Sequence, residues 1–410
     1  MMGQRIVLGM PLIGDGQWAG GINYQRTVLQ LISGPLADRV SARVIVSPEQ
    51  AALAQDSFGP WLEVPPIIDA RAAGAGMGRR AAMALLTGCD RPFAALMAEH
   101  GIDVVFENAR FFGARFPVPA LAWMPDFQHR HLAHLFSRRA WWKRDIGFRA
   151  QTLGRRIVLL SSESAERDCL RFYPRTKGRT AVARFAPQVD LAAVQVRAGG
   201  MHAAYGLPER FFYMPNHFWG HKNHALVAAA LRHLRDQRGT LDGIPPVIMS
   251  GPMKDYRDTD LFDRVMEASR ADGLAPWFRH LGLIPFVDVL TLNAAADAVI
   301  NPSFFEGWAT SVEEAKCLGT PLILSDLPVH REQAPDAAFF DPNNAAALAR
   351  CLEHAAAAAQ RQLPPSARLI AANATRLANF AQAFVAATEA AFGFGKAAST
   401  NGQRKHTDHQ

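Results

Sequence analysis

Residues 301–326, NPSFFEGWATSVEEAKCLGTPLILSD, set two carboxylates, Glu306 and Glu314, eight residues apart around a glycine and the start of a helix. The apolar run 298–300 predicts a strand, 304–308 a turn around Gly307, and 312–318 a helix that stops at Gly319. The first backbone N–H groups of a helix have no internal partner and carry the positive end of its dipole. A strand, turn and helix in this order therefore predict an anion site that could seat a diphosphate. Glu306, in the turn, would reach hydroxyls beyond it, and Glu314 lies about one turn inside the helix. A second reading of the same residues makes Ser311 and Glu314 a capping box, S-x-x-E, and Glu306 a solvated loop acid.

The stretch resembles the E-x7-E signature of the retaining, nucleotide-sugar-dependent glycosyltransferases of family four, and the resemblance continues through CLGTPLILSDLPVHRE to FFDPNN. It implies an α/β fold of the GT-B class, two Rossmann-like domains with parallel sheets facing across a cleft. It also implies that Glu306 contacts the transferred sugar and Glu314 the nucleotide ribose. Gly307 falls on the glycine between the acids, and Trp308, Ala309, Thr310 and Ser311 occupy the turn whose amides face donor sugar and phosphate. Ser311 stands where the family often has proline, a mild departure because a capping serine also suits a helix start.

A chain of 410 residues exceeds the size at which one core keeps growing, so two domains of roughly 200 residues are expected. Hydrophobic residues make up 49% and charged residues 20%, a soluble globular composition. No run of about 18 uncharged apolar residues occurs, and the N-terminus opens a strand, RIVLGMPLI, where a leader would show a basic start. The expected location is the cytoplasm, with peripheral placement at the inner face of the membrane as an extension. Cys89, Cys169, Cys317 and Cys351 are far apart, which predicts reduced structural thiols and neither a disulfide framework nor a zinc site. The formal charge of +7 suits a nucleotide diphosphate, anionic lipid or nucleic acid. Nucleic acid is disfavoured, because no zinc-finger spacing or aromatic RNA-binding signature occurs and the basic residues are spread along the chain.

Short β-like runs alternate with helical stretches, which predicts two units with mostly parallel sheets. Expected strands are 6–11, 42–47, 104–107, 120–123 and 157–161, then 211–214, 246–250, 279–281, 298–300 and 321–324. Between them 186–207, with weak periodicity, two adjacent glycines and a helix-like patch, reads as a segment that can bridge domains. The expected division is an acceptor-side domain over 1–190, a donor domain over 207–365, and a helical segment over 366–392. In the family that segment crosses back to the first domain. The tail 393–410 is expected to be disordered.

Three further sites support the donor reading. In PLIGDGQWAGGINY, Gly20 and Gly21 end a loop after the first strand, where backbone amides can approach a phosphate closely. The dinucleotide fingerprint G-x-G-x-x-G cannot be written across Gly14, Gly16, Gly20 and Gly21, which disfavours a nicotinamide enzyme. In FFYMPNHFWGHKNHALV, Lys222 matches the family's phosphate-binding lysine, while Asn216 stands where an arginine is common. His217, His221 and Arg184 are the alternatives for a second cation. In ALAWMPDFQHRHLAHLFS, Pro125 replaces the family's usual histidine. Asp126, Gln128 and His129 remain at the strand end as acceptor or sugar contacts, Asp126 and His129 being the candidates for catalysis with Glu306 and Lys222.

Asp258-Thr259-Asp260 can be written as a metal-binding D-x-D, but at a helix start aspartates cap and oppose the dipole, and capping is the favoured reading. Residues 137–156, SRRAWWKRDIGFRAQTLGRR, read either as a basic amphipathic face for anionic lipid or as a packed helix with solvated charges. The resemblance implies transfer of a sugar from a nucleotide diphosphate sugar to a saccharide or lipid-linked acceptor, with retention, no cofactor and no metal. Glu306 and Glu314 are then ligands; a hydrolase would need carboxylates facing one bond from opposite sides. The competing functions are another sugar-nucleotide enzyme of this architecture, such as a glucan synthase or epimerase, and a non-catalytic nucleotide-sugar binder.

Overall fold

The computed structural model describes residues 5–13, 19–72, 77–108, 110–358 and 367–407. Gly14 and Gly16, across which the dinucleotide fingerprint was tested, lie outside the described residues. The chain divides into two compact units. One comprises Met1–Phe127, Arg138–Phe185 and Leu377–Gln410; the other comprises Gln128–Ser137 and Ala186–Arg376.

In the first unit the strands are β1 (Ile6–Pro11), β2 (Val40–Val46), β3 (Ile67–Ile68), β4 (Val104–Asn108), β5 (Ala120–Trp123), β6 (Arg156–Leu160) and β7 (Thr180–Val182). They form one parallel sheet in the order β3-β2-β1-β4-β5-β6-β7. The second unit repeats the pattern with β8 (Phe212–Met214), β9 (Val247–Met249), β10 (Phe278–His280), β11 (Ala298–Asn301), β12 (Leu322–Ser325) and β13 (Ala338–Phe340), in the order β10-β9-β8-β11-β12-β13. Successive connections therefore leave the first strand of each unit in opposite directions. The loops after β1 and β4, and after β8 and β11, part from one another, and a doubly wound sheet binds its ligands in the crevice beyond such strand ends.

Parallel strands covered on both faces must be apolar throughout, and β8 shows why these residues suit the role. Phe212 and Met214 face one core with Val247, Met249, Ala298 and Ile300, while Phe211 and Tyr213 face another with Ile248 and Val299. The period of two follows from the pleat. In the first unit Val105 packs with Phe93, Leu96 and Phe112, whereas Phe106 joins an aromatic group of Tyr24, Trp123, Phe185, Phe380 and Phe384.

Four expectations need correction. The predicted linker contains a fifteen-residue helix, Leu191–Tyr205, capped by Asp190 and ended by Gly206 in the left-handed region. It belongs to the second unit through buried Val194 and Met201, and Tyr205 donates to Asp288 at 2.6 Å. Its two glycines, Gly199 and Gly200, blurred its periodicity. Three short strands, β3, β7 and β13, were not expected; each is a sheet edge, bonded on one side, and needs less apolar sequence. The helix expected over 366–392 runs as Ala367–Thr407, so the tail expected to be disordered from 393 continues the helix. Its alanine-rich sequence suits helical geometry. Its residues up to Arg376 belong to the second unit and those from Leu377 to the first. Lastly, Gln128–Ser137 belongs to the second unit although the sequence placed it within the first domain.

One buried ion pair braces the first sheet. Arg156 donates through Nε to Glu107 Oε2 at 2.6 Å and through Nη2 to Oε1 at 2.9 Å, and Glu107 Oε1 also accepts from the Phe112 amide at 3.0 Å. Removing one partner strands a charge in the core, which costs about 3–5 kcal/mol. Glu107→Ala should therefore abolish hydrogen-exchange protection across β4, β5 and β6 while the second sheet keeps its own; unchanged protection would count against this pair as a brace.

Candidate functional site

Beyond β8 and β11 the chain is sewn into one polar site. After Met214 it passes Asn216 into a tight turn, Gly220–Lys222, and Asn223 adopts φ 56°, the one positive φ of a non-glycine among the described residues. That strained conformation is held from outside. The Asn223 amide group donates to Pro302 O at 3.1 Å and Pro342 O at 2.9 Å, joining the loops that follow β8, β11 and β13. The Phe304 amide donates to His221 O at 2.8 Å. Lys222 and Glu306, 84 residues apart, consequently meet: Lys222 Nζ lies 2.6 Å from Glu306 Oε1.

Glu306 Oε1 also accepts from Ser303 Oγ at 2.7 Å and Asn301 Nδ2 at 3.3 Å. Burial alone would raise its pKa, but Lys222 first, then His221 and His330, outweigh that and pull it down to about 2. Glu306 is thus ionised at neutral pH, and its described hydrogen bonds all run to Oε1, leaving Oε2 for a ligand hydroxyl. Lys222 carries three N–H donors, only one of which Glu306 uses.

The helix Thr310–Leu318 has Ala309 at its N-cap and no side-chain cap, so Ser311 is its second residue and the capping-box reading fails. Gln333 instead holds the N-cap residue itself, accepting from the Ala309 amide and donating to Ala309 O, both at 3.1 Å, and makes no described bond to the amides of Thr310 and Ser311. Gly319 ends the helix at φ 68°. The turn through Gly307 and Trp308 is half-buried, Thr310 is half-buried, and Ser311 is buried. Glu314 is buried too, and burial pushes its pKa up to about 8.

Asn216 is buried with its Oδ1 unpartnered, at the place where the sequence reading noted a missing arginine. His217 does not supply the missing charge, because burial, with Lys222 second, lowers its pKa to about 4 and keeps the ring neutral at pH 7. Arg184 pairs with Glu163 in the first unit. Gly20 and Gly21 lie in the first turn of the helix Ala19–Ile32 rather than in a loop before it, which still leaves them among the amides without an intrahelical acceptor. Asp126, in the first unit, accepts from Arg144 at 2.6 Å, and His129 is fully buried in the second. Asp258 holds Arg264 through both oxygens, and Asp260 sits at the N-cap position of Leu261–Ala271 without a side-chain cap bond, so the favoured capping reading of these aspartates is not borne out.

Two residues escaped the sequence reading. His330 donates from Nδ1 to Ser325 O at 2.8 Å, since a carbonyl can only accept; this leaves Nε2 as a buried lone pair without a partner. Arg257 clasps the 128–137 segment to the lysine turn: it donates to Gln128 Oε1 at 3.0 Å and to Asp255 Oδ1 at 3.0 Å, and its Nη2 lies 3.4 Å from His221 Nδ1. Asp255 in turn accepts from the Gly220 amide at 2.9 Å. Neither residue falls in a local motif; the PVHRE run contained His330 without marking it.

Residues 203–366 match the model of the family described as glycosyl transferases group 1. An O-antigen chain mannosyltransferase B of Escherichia coli is 34% identical over 106 residues, 25% of this chain, and the match spans 26% of the relative's length. Among solved structures, a glycosyltransferase from Rickettsia africae aligns with a TM-score of 0.65 at 13% identity, covering 95% of this chain and 98% of that one. A sucrose-phosphate synthase from Thermosynechococcus elongatus aligns with 0.58 at 15%, covering 98% and 100%. The fold is of the GT-B class.

The raised carboxyl of Glu314 gives a stability signature. Between the unfolded value of 4.5 and about 8 the folded chain keeps a proton that the unfolded chain has lost, so stability falls as pH rises through that window. His217 and His280, lowered to about 4, act oppositely but only below their ordinary value of 6.5. From pH 6.5 to 8 the melting temperature should fall, and Glu314→Gln should flatten that slope; identical slopes in both proteins would refute the assignment.

Proposed function

We propose that this chain, a member of the group 1 glycosyltransferases over residues 203–366, is a hexosyltransferase that moves a sugar from a nucleotide diphosphate sugar to a saccharide acceptor with retention of configuration. The observation that carries the reading is the Lys222–Glu306 pair at the parting of β8 and β11, next to the start of the Thr310–Leu318 helix. Lys222 and the free amides at the helix start offer positive charge to the leaving diphosphate, and charge stabilisation at the leaving group is where such a site gains most rate. Glu306, fixed as a carboxylate, accepts from a sugar hydroxyl through Oε2 and orients the ring. Glu314 accepts from the ribose hydroxyls.

In the transfer step the bond from the anomeric carbon to the diphosphate oxygen breaks while the acceptor oxygen bonds to that carbon from the same face. The departing phosphate oxygen takes the acceptor's proton, so no protein base is required. The charge assignment needs no divalent ion. The mannosyltransferase likeness makes a nucleotide diphosphate mannose the first donor to assay and a growing polysaccharide, free or lipid-linked, the first acceptor. Work on such an acceptor suits a protein at the inner face of the membrane.

Because Lys222 and Glu306 are both largely buried, truncating one strands the other, so near-isosteric changes test chemistry more cleanly. Glu306→Gln and Lys222→Met should each lower kcat/KM by about 100-fold or more with the fold retained by circular dichroism. Turnover at the wild-type level in either variant would overturn the site. Activity should also persist in excess chelator; its loss, with recovery on adding manganese, would point to a metal held elsewhere. Ribose hydroxyls donating to Glu314 favour its ionised form, so donor binding at pH 7 should release a proton. Calorimetry in two buffers of different ionisation enthalpy reads that release, which Glu314→Gln should remove.

A further inference from the structure

The helix Arg138–Gln151 in the first unit has one face inside and one face outside, and both carry chemistry. Inward, Phe148 is buried, and Asp145 is fully buried and accepts from Tyr173 Oη and Arg149 Nε, each at 2.8 Å. Outward, Trp142 and Ile146 are 57% and 47% exposed, one turn apart, so their side chains form a continuous apolar ridge. Arg139 and Lys143 form the adjacent ridge at the same spacing, and Arg138 stands one turn before Trp142. Arg138, Arg139 and Lys143 are exposed, and no described acid pairs with them, whereas Arg144 and Arg149 on the same helix are bound to Asp126 and Asp145. The packed helix and the basic amphipathic face, which the sequence set against each other, are thus two sides of one element.

A second helix of the same unit also leaves apolar side chains in water. Met77–Thr87 shares the small core of Ala84, Phe111 and Ala150 with the first, and it exposes Met83, Leu85 and Leu86 beside Arg79. Trp142 and Ile146 side by side in water are costly for a free surface and mark an interaction site. Tryptophan with its polar N–H, set among unpaired arginine and lysine, matches the boundary of an anionic bilayer: the ring sits at headgroup depth while the cations meet lipid phosphates.

We propose that the Arg138–Gln151 helix, through Trp142 and Ile146 flanked by Arg138, Arg139 and Lys143, docks this protein on anionic phospholipid. The inference is independent of the transfer reading. It gives that reading a location, since a chain held there meets acceptors carried in the same leaflet.

The test is co-sedimentation of the full chain with vesicles of phosphatidylcholine containing roughly a third phosphatidylglycerol, against phosphatidylcholine alone. The chain should bind the anionic vesicles, bind the neutral ones far less, and release as salt shortens the screening length. Arg139→Glu with Lys143→Glu, and separately Trp142→Ser with Ile146→Ser, should each lower the partition coefficient by about tenfold or more. Circular dichroism melts identify any variant that fails to fold, and Trp142→Tyr, which keeps an interfacial ring, should restore most binding. Wild-type binding in both double variants would overturn the proposal and assign the attraction to the general positive charge. Absence of binding to anionic vesicles would overturn it outright, as would a dimer that Trp142→Ser dissolves, because the face would then belong to a second copy of the chain.

Discussion

The ion pair between Lys222 and Glu306 is the constraint around which the second unit is arranged. Its members come from loops that leave two neighbouring parallel strands, β8 and β11, and a parallel sheet sends both loops out at the same edge. Two charges in so enclosed a place are tolerable only if desolvation is offset, and the structure supplies the offset from three directions. Ser303 and Asn301 add hydrogen bonds to Glu306, the Asn223 side chain ties the lysine turn to Pro302 and Pro342, and Ser325 Oγ donates to Ser303 O at 2.6 Å. The pair is also incomplete by design of its valences. Lys222 retains two donors and Glu306 retains Oε2, so the site is charge-balanced without a ligand yet still able to bind one of either polarity.

Both units use the same winding, and the consequence differs in each. In the second unit the parting strands deliver two opposite charges. In the first, β1 leads towards the helix whose first turn holds Gly20 and Gly21, and Asn108 at the end of β4 donates to Pro11 O at 3.3 Å. A glycine start exposes backbone amides and no side-chain charge, which suits a neutral donor of hydrogen bonds more than an electrostatic anchor. Duplicated topology therefore does not duplicate chemistry; the loop residues decide it.

Much of this was legible in the chain because it is local. The run through Gly307 to Gly319 is a turn and helix fixed by its own residues, and the central strands are apolar on both faces, so composition alone gave their positions to within a residue or two. What stayed hidden is non-local. Ala309 at the helix start is held by Gln333, the lysine turn is braced by Asp255 and Arg257, and the unpartnered Nε2 belongs to His330 after β12. No spacing encodes such contacts. The Leu191–Tyr205 helix is legible only as a helix-like patch: Gly199 and Gly200 weaken its propensity, and tertiary burial of Val194 and Met201 overrides that weakness over the full fifteen residues.

Glu306 and Glu314 show how little sequence spacing says about the chemistry of two acids it singles out. They are the same amino acid on one short stretch, both buried, and their protons are held in opposite senses, near 2 for Glu306 and near 8 for Glu314. The difference lies in company. Glu306 has a cation and two neutral donors around one oxygen, while the Glu314 carboxyl makes no described hydrogen bond and faces burial alone. At neutral pH the first is therefore a fixed negative charge and the second largely a neutral acid that can change state when a ligand supplies donors. Two carboxyls separated in this way are suited to different tasks, and under the proposed function the division is between holding a constant field at Lys222 and responding to the donor.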